Sequence, residues 1–351
     1  MSLTTEQFAE RVFASALGSI EMYSIYIGDR LGYYRVLAGR AVTASQLATA
    51  TKTDERYARE WLEQQSASGI LDVDLSGADP VFTLPIAHRP VLTEATDSNY
   101  LAPMTRMLTA AGGQLPDLLE AYRSGGGVPW DRYGPDMRES QADMNRPFFQ
   151  NELADVFGRL GRVHELLSKP DALAADVGCG AGWSTIHLAR AYPNATLNGF
   201  DIDAVAIEMA RRNAEAEGVA DRVTFSSDNI AEHPVDAHCD VVLAFECIHD
   251  MPRPVRVLRA MRSMLRDDGI CVVMDEAVGE SFAGPSDDVE RLMYGFSLLV
   301  CLPDGRSSRP SVATGTVMRP SVLRGYALDA GFSDCAPIAE AGFFRFYELT
   351  P

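Results

Sequence analysis

Three groups of residues in this sequence have types and spacings that could do chemistry. The first is Asp176-Val177-Gly178-Cys179-Gly180-Ala181-Gly182, which leaves the apolar run Leu173 to Val177 and enters a segment with Ile186, Leu188 and Ala189 at helical spacing. Glycines between a strand and a helix let the backbone turn tightly and approach a ligand closely, at the positive end of the helix. The spacing discriminates between ligands: a dinucleotide fingerprint, G-x-G-x-x-G, requires glycine at 183, where Trp183 stands. The second is Asp201, which follows the run ATLNGF and lies 25 residues after Asp176. A carboxylate closing a second strand is placed to accept hydrogen bonds from both ribose hydroxyls of a nucleoside; the plain structural alternative is a cap on a helix starting at Ala204. The third is His249-Asp250, between the apolar run CDVVLAF and a helix opened by Pro252 or Pro254. An imidazole near neutral pKa suits general-base work, and the alternative is a loop histidine bonded to backbone.

The elements around these residues change character near residue 170. Before it the periodicity is mostly helical. After it, short apolar runs (173–177, 195–200, 223–230, 239–245 and 270–276) alternate with amphipathic helices, the signature of an α/β domain with a parallel sheet and helices on both faces. The chain ends in a helix, VLRGYALDAGF, and two paired segments, DCAPIAEA and FFRFYEL. Within the first hundred residues, Thr43 is placed to cap one short helix and Thr53 or Asp54 a second, with Tyr57, Trp61 and Leu62 on its apolar side. Gly69 stops that helix, and ILDVD with VFTL reads as a hairpin around Ser76-Gly77-Ala78-Asp79. Two helices and a hairpin make a winged helix. The expected division is a helical and winged-helix domain over 1–100, a helical connector over 101–164, and the α/β domain over 165–351. Pro147 is expected in the first turn of a helix whose Phe148, Phe149, Leu153, Val156 and Phe157 form an apolar stripe.

Composition bounds the partners. The 351 residues are 46% hydrophobic and 23% charged, enough to bury cores, with a net charge of −18. Nucleic acid is not an expected partner: the candidate recognition helix, DERYAREWLEQQSASG, carries four acidic residues against two arginines. No run approaches the ~20 apolar residues of a membrane span, and MSLTTEQFAERVF has no secretory pattern, so a cytoplasmic protein is expected. The six cysteines form no C-x-x-C pair, and most lie in apolar runs. No metal site is expected, because His249 has no second histidine nearby and the adjacent Asp250 would point in another direction.

The D-x-G-x-G-x-G segment resembles motif I of the class I S-adenosylmethionine (SAM)-dependent methyltransferases. Asp201, Asp228-Asn229 and the fourth and fifth strands follow in that family's order. The resemblance implies a Rossmann-like sheet and SAM as cofactor, with S-adenosylhomocysteine (SAH) as product. It implies that Gly178, Gly180 and Gly182 face the methionine part of SAM, that Asp176 holds its amino group and that Asp201 holds the ribose. Ile202 would lie against the adenine, Asp228 and Asn229 would bind its edge, and Phe245 would lie beside the cofactor; plain core packing is the alternative for Phe245. Cys247-Ile248-His249-Asp250 looks like the His-Asp segment of plant-type small-molecule O-methyltransferases, in which that histidine is the general base and an N-terminal winged helix forms the dimer. This sequence has Met251 where that family usually has tryptophan. Asp275 or Glu276 is a candidate to orient the base. Leu292, Met293, Phe296, Leu299 and Val300 line one helical face where the family builds its acceptor pocket, with Met104, Met107 and Tyr294 as further walls, which would suit an apolar or aromatic acceptor. The implied activity is methyl transfer to a small-molecule hydroxyl by a homodimer. The alternatives are nitrogen or carbon acceptors needing no base, a SAM-sensing DNA-binding regulator, and a scaffold that has lost SAM binding.

Overall fold

The structure, a computed structural model, describes residues 3–232 and 238–351. These fall into two compact units, Met1–Gly112 with Pro135–Pro147, and Gly113–Gly134 with Phe148–Pro351.

In the first unit a long helix, α1 (Thr5–Arg30), is opened by a capping box of Thr4 and Gln7. It leads into α2 (Tyr33–Gly39), α3 (Ala44–Thr51) and α4 (Glu55–Ala67). Thr43 caps α3 through the N–H of Gln46, and Asp54 caps α4 through the N–H groups of Arg56 and Tyr57. The antiparallel pair β1 (Asp72–Asp74) and β2 (Val81–Thr83) completes the wing, and Val42 bridges to Phe82. Trp61 anchors the core: its ring meets Tyr33 and Tyr34 edge-on at 4.8 and 5.2 Å, and its Nε1 donates to the carbonyl of Ser24 at 2.8 Å. The helices α5 (Arg89–Thr93) and α6 (Ala102–Gly113) follow. On α6 the buried Arg106 pairs with Asp29 and Asp143 of the same unit.

The expected connector does not stand apart as a third body. α7 (Leu115–Ser124) groups with the second unit, and α8 (Gly134–Asn151) runs from one unit into the other at Pro147. Pro147 therefore lies inside α8 and not in a first turn. Its missing N–H forfeits the helical bond to the carbonyl of residue 143 where the chain passes between units. Beyond it, Phe148, Phe149 and, on α9 (Leu153–Arg159), Phe157 are buried with Phe245, Phe344 and Phe346. Phe148 meets Phe344 at 4.7 Å and Phe149 meets Phe245 at 5.6 Å. α10 (Gly161–Leu167) then leads to the sheet.

The seven-stranded sheet contains β3 (Leu173–Val177), β4 (Thr196–Phe200), β5 (Val223–Ser226), β6 (Cys239–Phe245), β7 (Leu265–Glu276), β8 (Asp334–Ala341) and β9 (Phe344–Thr350). Its order is β5-β4-β3-β6-β7-β9-β8; β3 to β7 pair in parallel, and β9 runs antiparallel to β7 and to β8. The connecting helices α11 (Trp183–Ala191), α12 (Ala204–Ala216), α13 (Pro254–Ser263) and α16 (Pro320–Ala330), with α14 (Asp288–Phe296) and α15 (Leu302–Gly305), complete the unit. Of the two prolines offered as the opener of α13, Pro254 takes that position. β7 starts at Leu265, five residues before the apolar run 270–276 read from the sequence. A π-helical turn, Ser297–Cys301, joins α14 to α15. Among the described residues, no helix is long and apolar enough to cross a membrane.

Candidate active site

The site lies at the carboxyl ends of β3, β4, β6 and β7, where an open α/β sheet leaves its crevice. Three glycines after β3 take positive φ, and their surroundings differ. A Cβ on Gly178 would come within 2.6 Å of Cys247 Sγ, and one on Gly182 within 2.8 Å of the Phe225 ring, whereas Gly180 has nothing within 4 Å. Gly178 and Gly182 are thus held by packing, and Gly180 leaves its side of the loop open to an approaching ligand.

Asp176 is fully buried at the end of β3. Its Oδ2 accepts hydrogen bonds from Ser184 and Thr185, at 2.5 and 2.6 Å, while its Oδ1 is buried without a hydrogen bond. Burial pushes this carboxyl up to about 6, against the lowering effect of the two hydroxyls. A buried, unpaired carboxylate oxygen is costly unless a ligand completes it. Ser184 and Thr185 were not singled out from the sequence; their signal is two hydroxyls on the first turn of α11, facing back to the strand they follow.

Asp201 accepts the N–H of Gly180 through Oδ2 and that of Asp203 through Oδ1, both at 2.8 Å. It does not cap α12; Asp203 does, through the N–H groups of Val205 and Ala206. Asp201 therefore ties the glycine loop to the end of β4. Ile202 is 74% exposed beside it. Asp228 is exposed and takes the Ser226 hydroxyl at 2.5 Å, and Asn229 Oδ1 accepts the N–H of Ala231. Phe245 is buried between Phe149 and Phe157, at 5.6 and 6.2 Å, so core packing accounts for it in this structure.

The second centre lies after β6. Glu246 takes positive φ, which turns the chain so that His249 and Asp250 fold back over the ends of β6 and β7. His249 is 3% exposed, and its Nδ1 lies 3.0 Å from each oxygen of the buried Asp275 carboxylate. Glu276 Oε2 is 3.4 Å from the same nitrogen, and Asp250 Oδ1 is 3.3 Å from Nε2. The adjacent His249 and Asp250 thus converge, contrary to the reading that they point apart. Burial opposes charge on the imidazole, yet Asp275, Asp250 and Glu276 together raise its pKa well above the usual histidine value. Asp275 is held low by the imidazolium despite its burial, whereas burial and the neighbouring Asp275 push Glu276 well up. Of the two carboxyls offered as partners of His249, Asp275 is therefore the nearer, and it faces Nδ1 with both oxygens. Two further residues reach this centre without having been singled out for it: Cys301, from the π-helical turn, whose donor atom lies within 4.8 Å of those of His249 and Asp250, and Asp304, whose carboxyl burial and Asp250 push up to about 7.

Of the expected acceptor walls, Met293 and Val300 are buried, and Leu292, Phe296 and Leu299 are half-buried. Tyr294 accepts a hydrogen bond from Arg319 through its hydroxyl. Met104 and Met107 lie on α6 of the first unit.

Residues 169–297 match the family model of a methyltransferase domain, and residues 20–94 that of an Rv2258c-like winged HTH domain. The chain is 36% identical over 118 residues to the 27-O-demethylrifamycin SV methyltransferase of Amycolatopsis mediterranei, an alignment covering 33% of this chain and 43% of that one. The matched stretch spans less than half the length of such curated relatives. The fold extends further. An O-methyltransferase family protein from Burkholderia thailandensis superposes with a TM-score of 0.75 at 18% identity, over 99% of this chain and 98% of that one. Human N-acetylserotonin methyltransferase, solved in complex with SAM, superposes with a TM-score of 0.69 at 17% identity, over 100% and 99%.

Proposed function

We propose that this chain, a class I SAM-dependent methyltransferase with an N-terminal winged helix, methylates a hydroxyl oxygen of a small apolar or aromatic molecule, with His249 as general base. One observation carries the choice of oxygen: the Asp275 carboxylate faces Nδ1 of His249, which fixes that nitrogen as the protonated one and leaves Nε2 to take a proton.

The residues at the ends of β3 and β4 fit the cofactor. The unpaired Oδ1 of Asp176 suits an ammonium donor, Gly180 leaves room for close approach, and the exposed Ile202 offers an apolar platform beside Asp201. Gly178 and Gly182 shape the loop, Asp228 and Asn229 would meet the adenine edge, and Phe245 supports the floor from the core. When bound, SAM supplies an electrophilic methyl on a sulfonium, the sulfur keeping the bonding pair to give SAH. The chain's own work is alignment first and proton removal second. Asp275 holds the imidazole in one orientation, and the acceptor hydroxyl passes its proton to Nε2 as its oxygen forms the new bond to carbon. In the resting protein Asp250 faces Nε2 and favours the imidazolium, so the base acts from its neutral fraction and the rate rises with pH.

The regulator reading lacks support on the helix that would enter DNA. The two arginines of α4, Arg56 and Arg59, pair with Glu60 and Glu55 of the same helix, which leaves no free basic face there. A homodimer joined through α1 is part of the proposal: Phe8, Val12, Phe13, Leu17 and Ile20 are 47–66% exposed, an apolar stripe that a second copy would cover. A cytoplasmic setting is also part of it, supported by six free cysteines, the state a reducing compartment keeps. The test is incubation with methyl-labelled SAM and a cell extract, separated by size. Label in the small-molecule fraction, lost in His249→Ala, is expected. Label in macromolecules, or unchanged transfer by His249→Ala, would overturn the acceptor class or the base respectively.

A further inference from the structure

Between α7 and α8 the chain carries Gly125-Gly126-Gly127-Val128-Pro129-Trp130. In the structure it is bound along its length to the region around α15. Val128 donates its N–H to the carbonyl of Pro303 at 3.0 Å, and Arg306 and Arg309 both donate to the carbonyl of Gly125. Gly127 packs so closely that a Cβ there would collide with the backbone of Pro303, Arg306 and Ser307. Tyr133 donates its hydroxyl to the carbonyl of Leu299 at 2.7 Å.

Trp130, half-buried, joins the two ends of the site. Its backbone N–H donates to Asp304 Oδ1 at 2.8 Å, and its indole Nε1 donates to Asp203 Oδ2 at 3.2 Å. A Cβ on the next residue, Gly305, would lie 3.0 Å from the carbonyl oxygen of Asp250, so this anchor sits beside the His249 loop. Asp203 caps α12 with its other oxygen, and its N–H is held by Asp201. One residue thus spans from the base-bearing side to the loop that would bind the ribose.

We propose that Trp130 is a positioning residue for the cofactor: from the α15 side, its indole N–H holds the Asp201–Asp203 loop in the geometry that receives the nucleoside. The proposal rests on the reading that this loop binds the ribose of SAM. Asp201 has two carboxylate oxygens already committed to backbone, so its orientation depends on where Asp203 is held. The indole bond acts on Asp203 from outside the loop and leaves its capping oxygen undisturbed.

The test is calorimetric titration of SAH into the full-length protein and three variants: Trp130→Phe, which keeps a ring and loses the N–H; Asp203→Asn, which keeps a capping oxygen and places an amide NH₂ against the indole; and the double variant. Each single change is expected to weaken SAH binding about 3- to 10-fold, the scale of one hydrogen bond. The double variant is expected to be no weaker than the worse single, because both remove the same bond. Melting of the SAH-free variants is expected to stay near that of the parent, while the stabilisation added by SAH shrinks. Unchanged affinity in Trp130→Phe, or additive losses in the double variant, would overturn the proposal while leaving the cofactor reading intact. If Trp130→Phe is too unstable to titrate, Asp203→Asn decides by the same criterion. A parent protein that binds no SAH would overturn both.

Discussion

The two ends of the site are built in opposite ways. At the β3–β4 end the groups that would meet a ligand are left open: Asp176 keeps an unpaired oxygen, Gly180 has empty space beside it, and Ile202 is exposed. At the β6–β7 end the ionisable groups are closed onto one another, with His249 among Asp275, Glu276 and Asp250. Binding a cofactor calls for unsatisfied groups that the ligand completes. Fixing the orientation of an imidazole calls for the reverse, and here both ring nitrogens face carboxylates, Nδ1 that of Asp275 and Nε2 that of Asp250. The open end is made of residues within about two dozen positions of each other. The closed end needs two strands, a left-handed turn at Glu246 and an insertion to meet.

The sharpest way to separate the two ends is His249→Ala. Turnover with an identified acceptor is expected to fall about 10²–10⁴-fold, while calorimetric SAH affinity stays within about twofold of the parent; comparable losses in both would erase the distinction. Next in size is Asp275→Asn, expected to lower kcat by about 10- to 100-fold. Asp275 raises the imidazole pKa, so the parent's rate should climb with pH through a midpoint above the ordinary histidine value. Removing the carboxylate should move that limb to lower pH. An unshifted profile would mean that Asp275 does not act on His249.

Within the open end, the glycines offer a finer contrast. Gly178→Ala meets Cys247 as well as a positive φ and should cost about 2–4 kcal/mol in denaturant unfolding. Gly180→Ala carries the φ strain alone and should cost about 1 kcal/mol; equal costs would refute the packing argument. An effect of similar size is expected on the pH dependence of SAH binding. Asp176 is raised to about 6, so it carries a proton below that pH and is ionised above it. A cationic partner favours the ionised form, so SAH affinity should be about tenfold weaker at pH 5 than at pH 7.5, with Asp176→Asn flat across that range. In the SAH-free protein the sign reverses. A buried carboxyl with a raised pKa favours folding in its neutral form, so this contribution to stability is lost as pH rises from the unfolded value towards 6.

Local chemistry explains what could be read early. Thr43 and Asp54 cap helices through bonds two or three residues away, and the glycines after Asp176 mark a turn that few other residues tolerate. Pro147 misled for the same reason. Its preference for a first turn is a local tendency, and it yields where a continuous helix carries Phe148 and Phe149 into the aromatic core. Asp201 was open to a second reading as the cap of α12; the structure gives that cap to Asp203, and Asp201 instead holds the N–H of Gly180.

Taken alone, the order of residues determined the parallel α/β core, the winged helix and the glycine turn after β3, because each rests on periodicity or on interactions among near neighbours. Tertiary structure decided the rest. It chose Asp275 over Glu276 as the carboxylate facing His249, brought Asp250 and Cys301 to the same imidazole, divided the connector between two units, and turned a run of glycines into a strap carrying Trp130. These depend on which distant strands and loops become neighbours when the sheet closes, and a contact across a hundred residues leaves no mark in local spacing.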